Sequence, residues 1–182
     1  MLVHSIETPR LVLRRFEAQD WTAVLTYAAN PTVMHYIEEG PMTPIQVQTW
    51  VDKNLGESAQ AFPIILQQNQ QLIGHIIFHQ WFSHRTYEIG WVLHPAYQGQ
   101  GYATEAAKAV LGYAFAELHA HRVIATCQPE NPASYCVMEK IGMRREGYFQ
   151  KCIYRQESVW WDEYFYAILE DEWQTQDSYR FP

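Results

Sequence analysis

The stretch HPAYQGQGYATEAAKAVLGYAF, His94 to Phe115, is the part of the chain from which the fold is read. Gln98-Gly99-Gln100-Gly101 places two glycines two apart, directly ahead of a long helical pattern. Ala103, Ala106, Ala107, Val110, Leu111, Ala114, Phe115 and Leu118 recur at i, i+3, i+4 and i+7, so one stripe of that helix is apolar and packs on a sheet. The first turn of such a helix carries N–H groups with no partner inside the helix, at the positive end of its dipole. The glycines add backbone with no side chain in the way, a combination suited to a pyrophosphate. No G-K-[ST] follows and the third glycine of a dinucleotide fingerprint is absent, so this is neither standard nucleotide loop. An ordinary strand-to-helix turn has the same local pattern, and the wider sequence has to decide.

A chain of 182 residues with 48% hydrophobic content is read as one well-buried domain spanning 1–182. At 18% charged residues it is not composed like a disordered chain. The formal charge of −7 argues against nucleic acid as a partner, because phosphate contacts need clustered Lys and Arg. It suits a cationic partner, or solubility alone. The cysteines, Cys127, Cys136 and Cys152, are odd in number and show no C-x-x-C spacing, which fits a reducing compartment and mostly structural thiols. MLVHSIETPR shows neither a basic nor an apolar leader region, and no apolar run is long enough to span a bilayer. The expectation is a soluble cytoplasmic protein with no membrane association. Oligomeric state is left open.

RLVLRRF (Arg10 to Phe16) reads as a first strand, and AQDWTAVLTYAAN as a helix ended by Pro31. Glu38 to Pro44 is a loop; Thr43 as N-cap and Pro44 at the first helical position open a helix to about Leu55. Two strands flank a turn at Gln68 to Gln71, and Thr86 to Leu93 is a further strand. After the long helix come a strand at Arg122 to Cys127 and a short helix with Asn131 as N-cap, Pro132 at N1 and Gly142 as C-cap. REGYFQKCIY and SVWWDEYFYAIL close the chain as a hairpin. The order predicts an α/β domain with a mixed sheet.

YEIGWVLHPAYQGQGYATEAAKAVLGYAF resembles the acetyl-CoA-binding motif of the GNAT superfamily, a strand followed by Gln/Arg-x-x-Gly-x-Gly/Ala and a helix. NPASYCVMEKIGMRREGYF resembles that superfamily's second cofactor segment. ETPRLVLRRFEAQDW and WWDEYFYAILEDEW are similar to the ribosomal-protein-alanine (RimJ/RimL-type) N-acetyltransferases. The resemblance covers nearly the whole chain in the right order, and it moves the reading from plain turn to cofactor site. It implies an α/β fold whose mixed sheet is splayed at its centre, with pantetheine in the gap. It implies that Trp91, Val92 and Leu93 offer backbone to the pantetheine and thioester. Gln98, Gly99, Gln100, Gly101, Tyr102, Ala103 and Thr104 would wrap the pyrophosphate. Asn131 and Ser134 would face the sulfur end. Acetyl-CoA is the implied co-substrate, with no metal.

Acetyl transfer to an amine needs a neutral amine, an oxyanion donor and a way for the thiolate to leave. Alternation puts Glu88, Gly90 and Val92 on one strand face and Tyr87, Ile89 and Trp91 on the other. Glu88, within an apolar strand, suits a general base acting directly or through water, or else a structural ion pair. It resembles the base position of several GNAT members. Many of these enzymes carry a general-acid Tyr on the short helix; here Met138 stands in that place, and Ser134 is the substitute. Tyr135, Tyr154 and water are alternatives for the proton donor. His75 and His79 share a strand face without completing a metal set. Trp160 and Trp161 fit core packing or an acceptor wall, and Glu38 and Glu39 fit a solvated pair or a cation selector. The expected acceptor is a primary amine, first the α-amine of a basic protein N-terminus. The alternatives are a polyamine, aminoglycoside or other small amine, or a non-catalytic acetyl-CoA-binding module.

Overall fold

The computed structural model describes residues 5–155 and 158–178; residues 1–4, where the search for a leader began, lie outside them. The chain forms two compact units, Met1–His79 with Ile89–Val110, and Gln80–Glu88 with Leu111–Pro182.

The first unit holds β1 (Ile6–Glu7), β2 (Leu11–Leu13), α1 (Trp21–Ala28), α2 (Pro44–Lys53), β3 (Ala61–Leu66) and nearly all of β4 (Leu72–Gln80). To these it adds the end of β5 (Thr86–Leu93) and the start of α3 (Tyr102–Ala116). The ladders β1–β2, β2–β3 and β3–β4 are antiparallel. β2 is shorter than the expected Arg10–Phe16 strand. Arg14 leaves the ladder to hold Asp20 through Nη1 and Nη2 at 2.7 and 3.0 Å, which closes the turn that leads into α1. α2 begins as the sequence predicts. Thr43 and Gln46 form a reciprocal capping box, and Pro44 costs nothing at a position whose N–H has no helical partner. Phe16, Val24, Tyr27, Met34, Val47, Val51 and Val92 are buried together, with Trp21 and Trp50 packed against them. Each such side chain contributes about 1.5–3 kcal/mol by leaving water.

The second unit holds the start of β5, the end of α3, β6 (Arg122–Cys127), α4 (Pro132–Lys140), β7 (Arg144–Tyr154), β8 (Trp160–Leu169) and α5 (Glu170–Ser178). β5 and β6 run parallel over Thr86↔Arg122 to Glu88↔Ile124, whereas β6–β8 and β7–β8 are antiparallel. α4 is capped by Asn131, whose Oδ1 accepts from the Ser134 N–H at 3.3 Å. The cap at its other end is Ile141; Gly142, expected there, is the next residue and takes the left-handed conformation at φ 89°. Two elements escaped the sequence reading. β1 is a two-residue strand, and α5 has no apolar period beyond Trp173, which stacks on Phe115 at 5.8 Å. Glu170, Asp171 and Glu172 in its first turn favour the positive helix end.

Gly74 of β4 sits where β5 comes closest. A Cβ there would lie 2.3 Å from the Val92 carbonyl oxygen and 2.6 Å from Leu93 Cδ2. The first contact is backbone and cannot swing away, so β5 owes its position beside β4 to the missing side chain. Gly74→Ala is expected to lose at least about 2 kcal/mol of stability through overpacking. Gly56→Ala, with no atom within 4 Å of its Cβ, should stay within about 0.5 kcal/mol. Paired thermal or urea melts check this; equal effects would mean that β5 adjusts to the added methyl.

Candidate active site

In the first unit the end of β5 leads through His94 and a short turn, Pro95–Tyr97, to Gln98–Gly101 and α3. Gly99 and Gly101 have φ of 73° and 82°, a conformation that costs an L side chain about 1–2 kcal/mol. The two glutamines of the loop brace it. Gln98 Nε2 donates to the Leu93 carbonyl at 3.0 Å, and Gln100 Nε2 donates to the Ala96 carbonyl at 2.8 Å. Their side chains are therefore engaged with the loop's own backbone. Ala103, Ala106, Ala107 and Val110 are buried, so the apolar stripe anchors the helix under its own N-terminus.

The sequence reading missed Arg10. It crosses from the edge of β2 to the loop: Nε meets Glu105 Oε2 at 2.5 Å and Nη1 donates to the Gln100 carbonyl at 3.1 Å. Its guanidinium lies 4.4 Å from the Tyr102 ring centroid. Thr8 Oγ1 and the Arg10 N–H both donate to Glu105 Oε1, at 2.6 and 3.0 Å. Burial raises the Glu105 carboxyl, but the bonds from Thr8 and Arg10 outweigh it and hold the group below its ordinary value. Glu105 is thus a fixed anion at the positive helix end, with Arg10 beside it as counter-charge. A Cβ on Gly101 would meet Arg10 Nη2 at 3.4 Å, so the guanidinium flanks the bare stretch of backbone. These features fit a diphosphate: turned-out glycine backbone, a helix start and a cation at its rim.

In the second unit Glu88 is half-buried on β5, across from Ile124 of β6. Ser134 is half-buried in the first turn of α4, and its hydroxyl is hydrogen-bonded to the Cys127 thiol. Burial pushes that thiol up to about 11, so it stays protonated at neutral pH. All three cysteines are free thiols, as expected; Cys127 is buried, whereas Cys136 and Cys152 are exposed, against the expectation of mostly structural ones. Tyr135 contributes a backbone bond to Cys127, and its ring meets Tyr164 at 5.9 Å. Tyr154 is 61% exposed, with its ring 5.2 Å from Trp160. No sequence spacing links Cys127 to Ser134 or Arg10 to Glu105, since each pair meets only through the tertiary fold.

Trp91 is half-buried, while Val92 and Leu93 are buried at the end of β5. Glu38 and Glu39 are both exposed. His75 is buried and shares a 2.8 Å hydrogen bond with the Tyr27 hydroxyl; desolvation lowers its pKa to about 3, which makes it a neutral core residue. Among the described residues no group of three or more His, Cys, Asp and Glu is gathered as for a metal ion, and no helix is long and apolar enough to cross a membrane.

The chain matches the Acetyltransferase (GNAT) domain over residues 10–144. YnaD of Bacillus subtilis (strain 168), named as an uncharacterized N-acetyltransferase, is 56% identical over 168 residues, covering 92% of this chain and 98% of YnaD. A crystal structure of an acetyltransferase (GNAT family) from Bacillus anthracis superposes with a TM-score of 0.88 at 55% identity, covering 92% of this chain and 99% of that one. The spermidine N(1)-acetyltransferase of Vibrio cholerae serotype O1 (strain ATCC 39315 / El Tor Inaba N16961) is 25% identical over 141 residues, covering 76% of this chain and 82% of that protein. The protein belongs to the GNAT family of N-acetyltransferases. It is an acetyl-CoA-dependent acyltransferase with the mixed α/β fold of that family, and its acceptor is an amine.

Arg10→Ala is expected to weaken acetyl-CoA binding by roughly tenfold, the loss of one charge-assisted contact that shapes the loop. The KM for S-acetyl-pantetheine, which lacks the diphosphate, should not change. Calorimetry and steady-state rates with the two thioesters decide it; an equal loss for both would make Arg10 a stabiliser of the fold alone.

Proposed function

We propose that this enzyme acetylates the α-amine of a protein N-terminus, of the ribosomal-protein kind its terminal segments resemble, within a single catalytic domain over 1–182. The observation that carries the reading is the half-buried Glu88 carboxylate on the apolar strand β5. A protein α-amine has a pKa of about 7.7–8.0, against about 10.4 for a lysine side chain. One carboxylate, acting directly or through water, is matched to the first and would need more than two further pKa units of help for the second.

Acetyl-CoA supplies the activated thioester. Backbone from Trp91 to Leu93 holds the pantetheine arm, and one N–H donates to the thioester oxygen. Gln98, Gly99, Gln100, Gly101, Tyr102, Ala103 and Thr104 form the diphosphate loop, with backbone N–H groups as donors. Glu88 takes the proton that the acceptor ammonium must lose. Asn131 holds the first turn of α4 in place, and Ser134 relays a proton to the departing sulfur while taking one from water. A thiol leaves with a pKa near 8.5, taking free cysteine as a guide, so this donor has modest work to do. The Ser134 hydroxyl is held in place by its hydrogen bond to Cys127.

A second reading has its own support. The likeness to a spermidine N(1)-acetyltransferase across 76% of the chain favours a polyamine acceptor, and the charge of −7 suits either cationic acceptor. The discriminating experiment is a pH–rate profile of the wild type and Glu88→Gln with a basic N-terminal peptide and with spermidine. Glu88→Gln should keep acetyl-CoA affinity and lower turnover by about 10²–10⁴-fold at low pH, with partial rescue as pH rises through the amine's own pKa. Unchanged profiles would make Glu88 structural. Spermidine outpacing the peptide by orders of magnitude would replace the α-amine reading with the polyamine one.

A further inference from the structure

The second unit presents a second carboxylate on the sheet face that carries Glu88. Register fixes the faces. In the β6–β8 ladder Ile124 lies opposite Ala167 and Thr126 opposite Phe165, so these four side chains share one face. Glu163, two residues before Phe165, is on that face too, and so is Glu88, which pairs with Ile124 across the parallel ladder. The contacts agree. Thr126 hydrogen-bonds the Glu163 carboxylate, and Phe149, directly opposite Glu163 on β7, meets Phe165 at 6.0 Å. Trp81 meets Phe165 at 5.5 Å. The other face is taken by α4, with Tyr166 donating to Glu139 at 3.0 Å and Tyr135 against Tyr164.

Glu163 is therefore a half-buried carboxylate on the face that carries Phe149 and Phe165, with Thr126 as its hydrogen-bond partner. Burial raises its pKa and the Thr126 bond offsets that only in part, so an ammonium group docking there would recover what desolvation costs. The position also implies a definite reach. Ala167 stands across β6 from Glu88, and Glu163 lies four residues farther along β8, about 13 Å at the rise of a strand. Adding two strand spacings of about 4.8 Å puts the two Cα atoms roughly 16 Å apart.

We propose that Glu163, with Phe149, Phe165 and Thr126, forms a subsite for a second cationic group of the acceptor, remote from the amine that is acetylated. The inference rests on the reading that the amine reacts beside Glu88. The recognised chemistry is an alkylammonium or guanidinium group on a slim chain, flanked by aromatic faces and paired with one carboxylate. Two sources offer it: a polyamine, or a protein N-terminus with a basic side chain a few residues in. At about 3.3–3.6 Å per extended residue, that side chain belongs near the fourth position.

The experiment compares kcat/KM for matched acceptors that differ in the remote charge alone. One pair is 1,8-diaminooctane and octylamine; the other is the amide of Ala-Ala-Ala-Arg and its citrulline isostere. The wild type should prefer the charged member of one pair by about ten- to thirtyfold, a value between exposed and buried ion pairs. Glu163→Gln, nearly isosteric and able to keep the Thr126 contact, should bring that ratio close to one while leaving the uncharged member's rate and the melting temperature unchanged. The pair that shows the preference identifies the source. No preference in either pair, or a preference that survives Glu163→Gln, overturns the subsite. Glu88→Gln runs alongside: unchanged turnover there defeats the assignment of the reacting amine to Glu88, whereas the Glu163 ratio judges the subsite on its own.

Discussion

The carboxylate of Glu105 in the first turn of α3 is the constraint on which the cofactor end depends. It receives Thr8 and the Arg10 N–H on one oxygen and the Arg10 guanidinium on the other, joining the edge of β2 to the start of the helix. Arg10 then reaches the Gln100 carbonyl, while Gln98 and Gln100 tie the same loop to the carbonyls of Leu93 and Ala96. A loop with two glycines in the left-handed region is costly to order. Those ties supply the order before any ligand arrives, so the backbone N–H groups need no rearrangement to meet a diphosphate. Arg10 supplies the counter-charge to the Glu105 carboxylate beside it.

How much of this was legible in the sequence depends on how local each signal is. Thr43 with Pro44, and Asn131 with Pro132, are helix starts written in adjacent residues, and both helices start where those residues place them. β5 and β6 span the expected Thr86–Leu93 and Arg122–Cys127, because β-rich runs bounded by polar turns leave few alternatives. The stripe from Ala103 to Phe115 is buried throughout. β1 was missed because two residues carry no period, and α5 because its sequence is polar on nearly all sides. The glycines, Glu88 and Ser134 became candidates through a family resemblance. Arg10 and Cys127 did not, since their partners are set by tertiary contact rather than by spacing. The two loop glutamines, expected to wrap the diphosphate, have side chains that bond to the carbonyls of Leu93 and Ala96, a bracing no sequence spacing announces.

The β6–β8 ladder is organised by a different device, strand register. One face of the β6–β8 ladder receives α4 and carries Cys127, Tyr164 and Tyr166; the other carries Thr126, Glu163 and Phe165. A one-residue slip would exchange these sets, so the register that buries Tyr166 also decides which carboxylates share a face. The proposed proton donor Ser134 and the proposed charge subsite at Glu163 thus belong to opposite sides of the same two strands.

The central claim is that bare, turned-out backbone at the start of α3 holds the diphosphate of acetyl-CoA. Its most direct test is calorimetric titration of acetyl-CoA into Gly101→Val. Gly40→Val serves as control, because Gly40 has a comparable φ of 65° and open space around its Cβ. Both variants carry similar backbone strain, of order 1–3 kcal/mol. The account predicts that Gly40→Val binds with near-normal affinity while Gly101→Val loses on the order of a hundredfold or more, about 2.8 kcal/mol. Near-normal affinity in Gly101→Val, or an equal loss in both, would contradict it.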